Sequence, residues 1–233
     1  MDAIPMVGTE AAVRQISKFI MNTDVTGALI ESWLVSLHFI PHPTKDMLTD
    51  IAKMISAVHG TKILLPLSTM MHTYCQKQSC EKDNDIANIL EKLIANLGND
   101  CTSFNDEKVL LTLRAIGNIE QTQTMIPVLE KCFSRKNNTM GIRVAAVEAY
   151  RRMPCAADRN NLLALFRNTD EDSELRLAAY LQVMKCPTDN ILQQIKETLM
   201  SEEVNQGRSA VNSERSSPAR SAGAKRALPA RRV

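Results

Sequence analysis

Aromatic residues make up only 4% of this 233-residue chain: one Trp, three Tyr and five Phe. Glycine is nearly as scarce, with 8 residues. There is no Gly-x-Gly-x-x-Gly and no phosphate loop of the Walker type, so the usual glycine-built nucleotide cradles are missing. Gly-x-Ser-x-Gly and His-Glu-x-x-His are missing too, and the chain reads as a non-enzyme. No apolar run approaches the roughly 18–20 residues a helix needs to span a bilayer. Ile63-Leu-Leu-Pro-Leu67 is typical of the longest. The start, Met1-Asp-Ala-Ile-Pro5, has no basic stretch followed by an apolar one, so no signal peptide is expected in this chain.

Histidine is also rare, with 4 residues. His72-x-x-Cys75 with Cys80 and His59 could be written as a zinc set, but zinc fingers need a second tight ligand pair across a loop. That pair is missing, because His59 and His72 lie 13 apart. No metal and no cofactor are therefore expected. His38 and His42 flank a proline-rich break and read as surface or packing residues.

What the chain does have is apolar mass, 44% of its residues, drawn from Leu, Ile, Ala and Met, which suit helices better than sheets. Two stretches echo each other at an offset of 33 residues: Ile142-Arg-Val-Ala-Ala146 leading to Pro154, and Leu175-Arg-Leu-Ala-Ala179 leading to Pro187. A fixed period in this range marks a helix-pair solenoid, whose repeats must stack because none buries its apolar face alone. The fold class is all-α: an α-solenoid superhelix of about eleven antiparallel paired helices. They are expected at 10–21, from Asp24 or Thr26 to 39, 43–58, 61–75, 86–97, 108–116, 121–134, 140–152, 157–167, 171–185 and 188–200, with a loop over 76–85.

The net charge of +2 averages two unlike segments. Residues 207–233 carry seven basic side chains and one acid, Glu214, which leaves residues 1–206 at −4. This Ser/Ala/Arg-rich tail has no apolar period and is expected to be disordered. The domain division is thus 1–206, helical, and 207–233, tail. A basic tail could bind RNA or anionic lipid, but this one has no aromatic residue on which bases could stack. A plain extension is preferred, with no nucleic-acid partner.

Six cysteines come next. Cys75 and Cys80 share one loop, while Cys101 and Cys132, and Cys155 and Cys186, are each 31 apart. An offset near the repeat length puts two residues on adjacent stacked repeats, at separations a disulfide tolerates. Fifteen pairings remain open to six cysteines, and buried free thiols in a helical repeat stay open beside them. Asn137-Asn-Thr139 is a glycosylation sequon in an expected loop, usable only in the secretory pathway. Asp170-Glu171-Asp172 reads as the acidic start of a helix, where carboxylates favour the helix dipole.

Ile40-Pro-His-Pro43 with Leu48 and Ile51, Asn99-Asp-Cys-Thr102, Leu113-Arg-Ala-Ile-Gly-Asn118 with Gln121-Thr122, and Arg176-Leu-Ala-Ala-Tyr180 with Met184 and Pro187 together resemble the large lipid transfer proteins. Within that family the chain is most similar to the apolipoprotein B and apolipophorin branch, with vitellogenin and microsomal triglyceride transfer protein as relatives. The resemblance runs from about residue 2 to 206. It implies the helical domain of an N-terminal lipid-transfer module, a curved double layer of helices that braces a lipid cavity lined by β-sheets. It further implies secretion of the full-length relative, lipids such as phospholipid and acylglycerol as cargo of the complete module, and a related lipid-transfer protein as a partner of the arch. Disulfides Cys75–Cys80 and Cys101–Cys132 follow from the family pattern, and a third, Cys155–Cys186, is private to this chain. The family's barrel and sheets are not in the sequence, so the chain reads as an incomplete module that transfers little lipid alone. Lipid-contacting residues are not identified. A HEAT-like interaction scaffold without lipid or disulfides is the alternative.

Overall fold

The computed structural model describes residues 4–22, 27–56, 60–80, 82–102, 105–120 and 123–201. The expected disordered tail, 207–233, lies outside these residues, as do the candidate caps Asp24 and Thr26 and the candidate ligand His59. The chain falls into two compact units, Met1–Pro187 and one that begins at Thr188.

The first unit holds eleven α-helices among its described residues: α1 (Ile4–Val7), α2 (Glu10–Met21), α3 (Ala28–Leu37), α4 (Lys45–Ala52), α5 (Gly60–Cys75), α6 (Asn84–Leu97), α7 (Asp106–Asn118), α8 (Ile126–Ser134), α9 (Met140–Glu148), α10 (Asn160–Arg167) and α11 (Ser173–Val183). In the second unit, residues 189–201 form α12. All eleven expected helices are present, and α1 is an additional turn. Where 43–58 and 140–152 were expected to be continuous, the α-helix tightens into 3-10 turns at Lys53–Ser56 and Ala149–Arg152, a common way for a helix end to finish.

Side-chain caps fix many of the starts. Thr9 and Thr44 accept from the backbone N–H groups of Ala12 and Met47, Asn105 from Lys108, and Asp172 from Glu174. Each satisfies a donor the helix itself cannot pair. Asp83 accepts from Asp85 and Ile86, so α6 begins two residues earlier than its apolar stripe alone indicates. Gly98 ends α6 at φ 65°, and a Cβ there would lie 2.9 Å from the Thr102 carbonyl oxygen.

The helices of the first unit form two layers. One is a continuous stack in which α3 packs on α5, α5 on α7, α7 on α9 and α9 on α11. Four of these five helices also pack on a companion from the other layer: α4 on α5, α6 on α7, α8 on α9 and α10 on α11. The core lies between the layers. Leu48, Leu64, Leu93, Leu113, Leu129, Leu162 and Leu175 are all fully buried, each contributing about 1.5–3 kcal/mol by leaving water. The echoed alanines are explained here: Ala146 and Ala179 are fully buried on α9 and α11, which pack against each other, and small side chains let the two backbones approach.

Candidate functional site

The two echoed arginines do the same work. Arg143 donates from Nε to the Phe133 carbonyl at 2.7 Å, and Arg176 from Nε to the Phe166 carbonyl at 2.8 Å. Phe133 and Phe166 are themselves 33 residues apart, so each repeat ties the start of one helix to the end of the helix before it. Arg143 also donates from Nη2 to Glu171 at 2.9 Å, with the two side chains 6% and 10% exposed. Asp170-Glu171-Asp172 therefore divides its tasks: Asp172 caps α11, while Glu171 holds an arginine of the previous repeat.

A second series of links joins neighbouring repeats. Arg14 reaches Asp50, Arg135 reaches Asp100, Asn161 reaches Glu130 and Lys185 reaches the Arg151 carbonyl, at sequence separations of 36, 35, 31 and 34. The seam is densest at the C-terminal ends of the α5–α7–α9–α11 stack. Arg151 Nη2 donates to the Arg114 carbonyl and to Asn118 Oδ1, each at 2.6 Å. Arg152 donates to the Asn118 carbonyl at 2.8 Å, and Asn118 donates to Ser68 at 3.1 Å. Cations at helix C-termini meet unpaired carbonyls and the negative end of the dipole. Gly117 makes room for this contact, since a Cβ there would collide with the Arg151 guanidinium and lie 2.9 Å from Ala149 Cα. Burial, then repulsion by Arg152, lowers the pKa of Arg151; burial, then Arg151 and Arg159, lowers that of Lys185.

The structure joins Cys75 to Cys80, Cys101 to Cys132 and Cys155 to Cys186, with Cα separations of 5.4, 5.1 and 5.4 Å. Cys75 and Cys80 are thus bonded to each other and are not thiolate ligands. His72 lies against Glu120 at 4.0 Å, too far for a hydrogen bond, and burial, followed by Arg152, lowers its pKa. No group of three His, Cys, Asp or Glu side chains suited to a metal ion occurs among the described residues. His38 meets Thr69 at 3.2 Å and His42 meets Lys77 at 2.8 Å.

Cys101 sits in a strained turn. Asp100 and Cys101 have φ of 53° and 62°, the left-handed region that costs a non-glycine residue on the order of 1–3 kcal/mol. The surroundings hold it there: the disulfide anchors Cys101, Arg135 donates to Asp100 Oδ2 at 3.3 Å, and Asn138 donates to the Asp100 carbonyl at 3.0 Å and the Cys132 carbonyl at 2.9 Å. Asn137, next to buried Asn138, is exposed in the turn between α8 and α9. At the other end of the unit, Val7, Val35 and Phe39 line an open apolar groove of about 590 Å³, and Phe39 is 78% exposed.

Sequence reading found Arg143 and Arg176 but missed the partners that give them meaning. The signal was present in the 33-residue offset between Phe133 and Phe166, which also relates Arg152 to Lys185. The Asn118–Ser68 bond, at a separation of 50, has no such periodic mark.

The vitellogenin TPR domain family matches residues 1–214. This chain belongs to that family. As a vitellogenin TPR domain it is similar to the apolipophorins of Locusta migratoria, 28% identical over 208 residues that cover 88% of this chain and 6% of that protein. It is similar to human apolipoprotein B-100, 28% identical over 207 residues covering 85% of this chain and 4% of that one. It is similar to vitellogenin of Penaeus merguiensis, 25% identical over 219 residues covering 91% and 8%. The chain therefore spans a small fraction of the length of these relatives. A lipovitellin chain, solved in a study of its lipid–protein interactions, superposes with a TM-score of 0.71 at 18% identity over 85% of this chain and 22% of that one, which gives the vitellogenin TPR domain the same fold. No described helix is long and apolar enough to cross a membrane.

Proposed function

We propose that this vitellogenin TPR domain serves lipid transport as the helical layer that braces a lipid-binding cavity in an apolipophorin-like or apolipoprotein B-like module. The observation that carries this reading is the family match over residues 1–214. The packing supports a bracing role: two helix layers, sealed by apolar side chains and cross-linked from repeat to repeat, make a stiff wall and not a container. Among the described residues β-structure amounts to the isolated bridge Asn99–Thr102, so the cavity and its phospholipid or acylglycerol cargo belong to sheets supplied by the complete module. A related lipid-transfer protein docks on the helical arch. Division into a helical domain, 1–206, and a basic tail, 207–233, is part of the same reading.

Three disulfides support an oxidising compartment, and so a secreted protein in preference to a cytosolic HEAT-like scaffold. Exposed Asn137 is its glycosylation site. The test is an exchange: this chain replaces the matching helical segment of the Locusta apolipophorin, and the secreted particle is assayed for lipid. The expected outcome is a lipid-loaded particle carrying a glycan that Asn137→Gln removes; secretion of a lipid-free particle refutes the bracing role. Robust triacylglycerol transfer between vesicles by the purified chain alone also refutes it.

A further inference from the structure

The seam at the C-terminal ends of α7, α9 and α11 surrounds an open cavity of about 410 Å³, lined among others by Arg114, Asn118, Glu148, Arg151, Gln182 and Lys185. Three of these carry positive charge and one negative. The hydrogen bonds of the seam leave donors unused. Lys185 gives one N–H to the Arg151 carbonyl, and an ammonium has three. Arg151 gives its Nη atoms to the Glu148 and Arg114 carbonyls and to Asn118, with Nε–H left over. The Arg114 carbonyl accepts from Arg151, but the Arg114 guanidinium has no hydrogen bond or ion pair among the described residues. Burial lowers the pKa of Arg151 and of Lys185, and neighbouring cations add to it, Arg152 at Arg151 and Arg151 at Lys185, as expected where desolvated cations lack a matching anion.

Gln182 adds the opposite requirement. It is 6% exposed, and its Oε1 is buried with no hydrogen-bond partner among the described residues. A buried acceptor left unpaired is costly, so this cavity favours a ligand that brings a donor as well as an anion. Glu148, the acid of the lining, favours that donor being cationic. A bare phosphate or carboxylate satisfies the cations and leaves Gln182 and Glu148 unmatched, while a quaternary ammonium has no N–H to give.

We propose that this cavity binds a phosphate ester bearing a primary ammonium, with Arg114, Arg151 and Lys185 on the phosphate and Gln182 and Glu148 on the ammonium. That chemistry is the ethanolamine phosphate group, whether on a phospholipid or free in solution. The site is independent of the lipid-transport reading, because it is built from side chains of this chain alone.

The test is titration of the full chain with O-phosphoethanolamine, O-phosphocholine and inorganic phosphate, followed by calorimetry. Phosphoethanolamine binds about tenfold more tightly than the other two, the difference expected when one buried acceptor goes unpaired. Gln182→Met abolishes that preference while keeping phosphate binding. Arg114→Gln, at an exposed side chain outside the hydrogen-bonded seam, weakens all three probes several-fold, as does Lys185→Gln. Vesicles assign the source. Flotation with phosphatidylethanolamine-containing vesicles but not with pure phosphatidylcholine, competed by free phosphoethanolamine, places the group on a lipid; binding of the free ester without flotation places it in solution, and both sustain the site. No binding, equal binding of the three probes, or affinities unchanged by Arg114→Gln and Lys185→Gln overturns it.

Discussion

Replacing Arg143 with methionine keeps an unbranched apolar stem and removes the guanidinium with its charge and donors. Two groups lose their partner: the Phe133 carbonyl, bonded at 2.7 Å, and the Glu171 carboxylate, bonded at 2.9 Å. Glu171 is the expensive one, since its side chain is only 10% exposed. Breaking a buried pair from one side costs roughly 3–5 kcal/mol, because a charge is left without compensation. With a urea slope of about 2 kcal/mol per M, that is a drop in midpoint of about 2 M. Adding Glu171→Gln removes the stranded charge, so the double variant recovers about 1–3 kcal/mol of the loss, the coupling expected of two residues in contact. It remains below wild type by about 2 kcal/mol, because the Phe133 carbonyl is still unpaired. Urea unfolding at neutral pH, with disulfides intact, measures all four corners of the cycle. A single variant that loses less than about 1 kcal/mol, or a double variant no more stable than the single, refutes the assignment of Arg143–Glu171 as a buried, mutually dependent pair.

Gly117→Ala is expected to destabilise by about 1–3 kcal/mol through overpacking against Arg151 and Ala149, although alanine is the better helix former; thermal unfolding reads the sign. Removing Cys101–Cys132, which closes 31 residues, costs about 3–4 kcal/mol by loop entropy, while removing Cys75–Cys80, which closes 5, costs about 2 kcal/mol, so the paired alanine variants separate in denaturant. Burial raises the Asp50 carboxyl, but hydrogen bonds from Lys53 and Arg14 outweigh it and hold the group below its ordinary 3.8. A lowered carboxylate stabilises the fold above its unfolded value and stops doing so as pH falls through the folded one. The stability gap between wild type and Asp50→Asn is therefore constant near neutrality and closes below about pH 4 in acid titration.

Much of this architecture is legible in the sequence because its causes are local or periodic. Thr9, Thr44, Asn105 and Asp172 announce helix starts through chemistry that acts over two or three residues, and the echo at Arg143 and Arg176 gives the stacking period. Features that need two helix faces to be known together are not legible. Asn118 bridges Ser68 and Arg151, which no spacing rule connects. Cys101 adopts a glycine-like backbone beside Asp100 because its neighbours hold it, not because its own residue type favours it. Gly27, at φ 65°, precedes α3 without a side-chain cap, so its start carries no polar mark.

The repeat-spaced polar links give the domain a short memory. Each of them joins a repeat to its immediate neighbour, so a lesson written into one repeat by a lost partner is read by the next and fades beyond it. Hydrogen exchange in a damaged variant should rise in two adjacent helix pairs while distant pairs keep native protection. Helix pairs can then be exchanged or tuned singly, and the wall stiffened or loosened at one chosen height without rebuilding the rest.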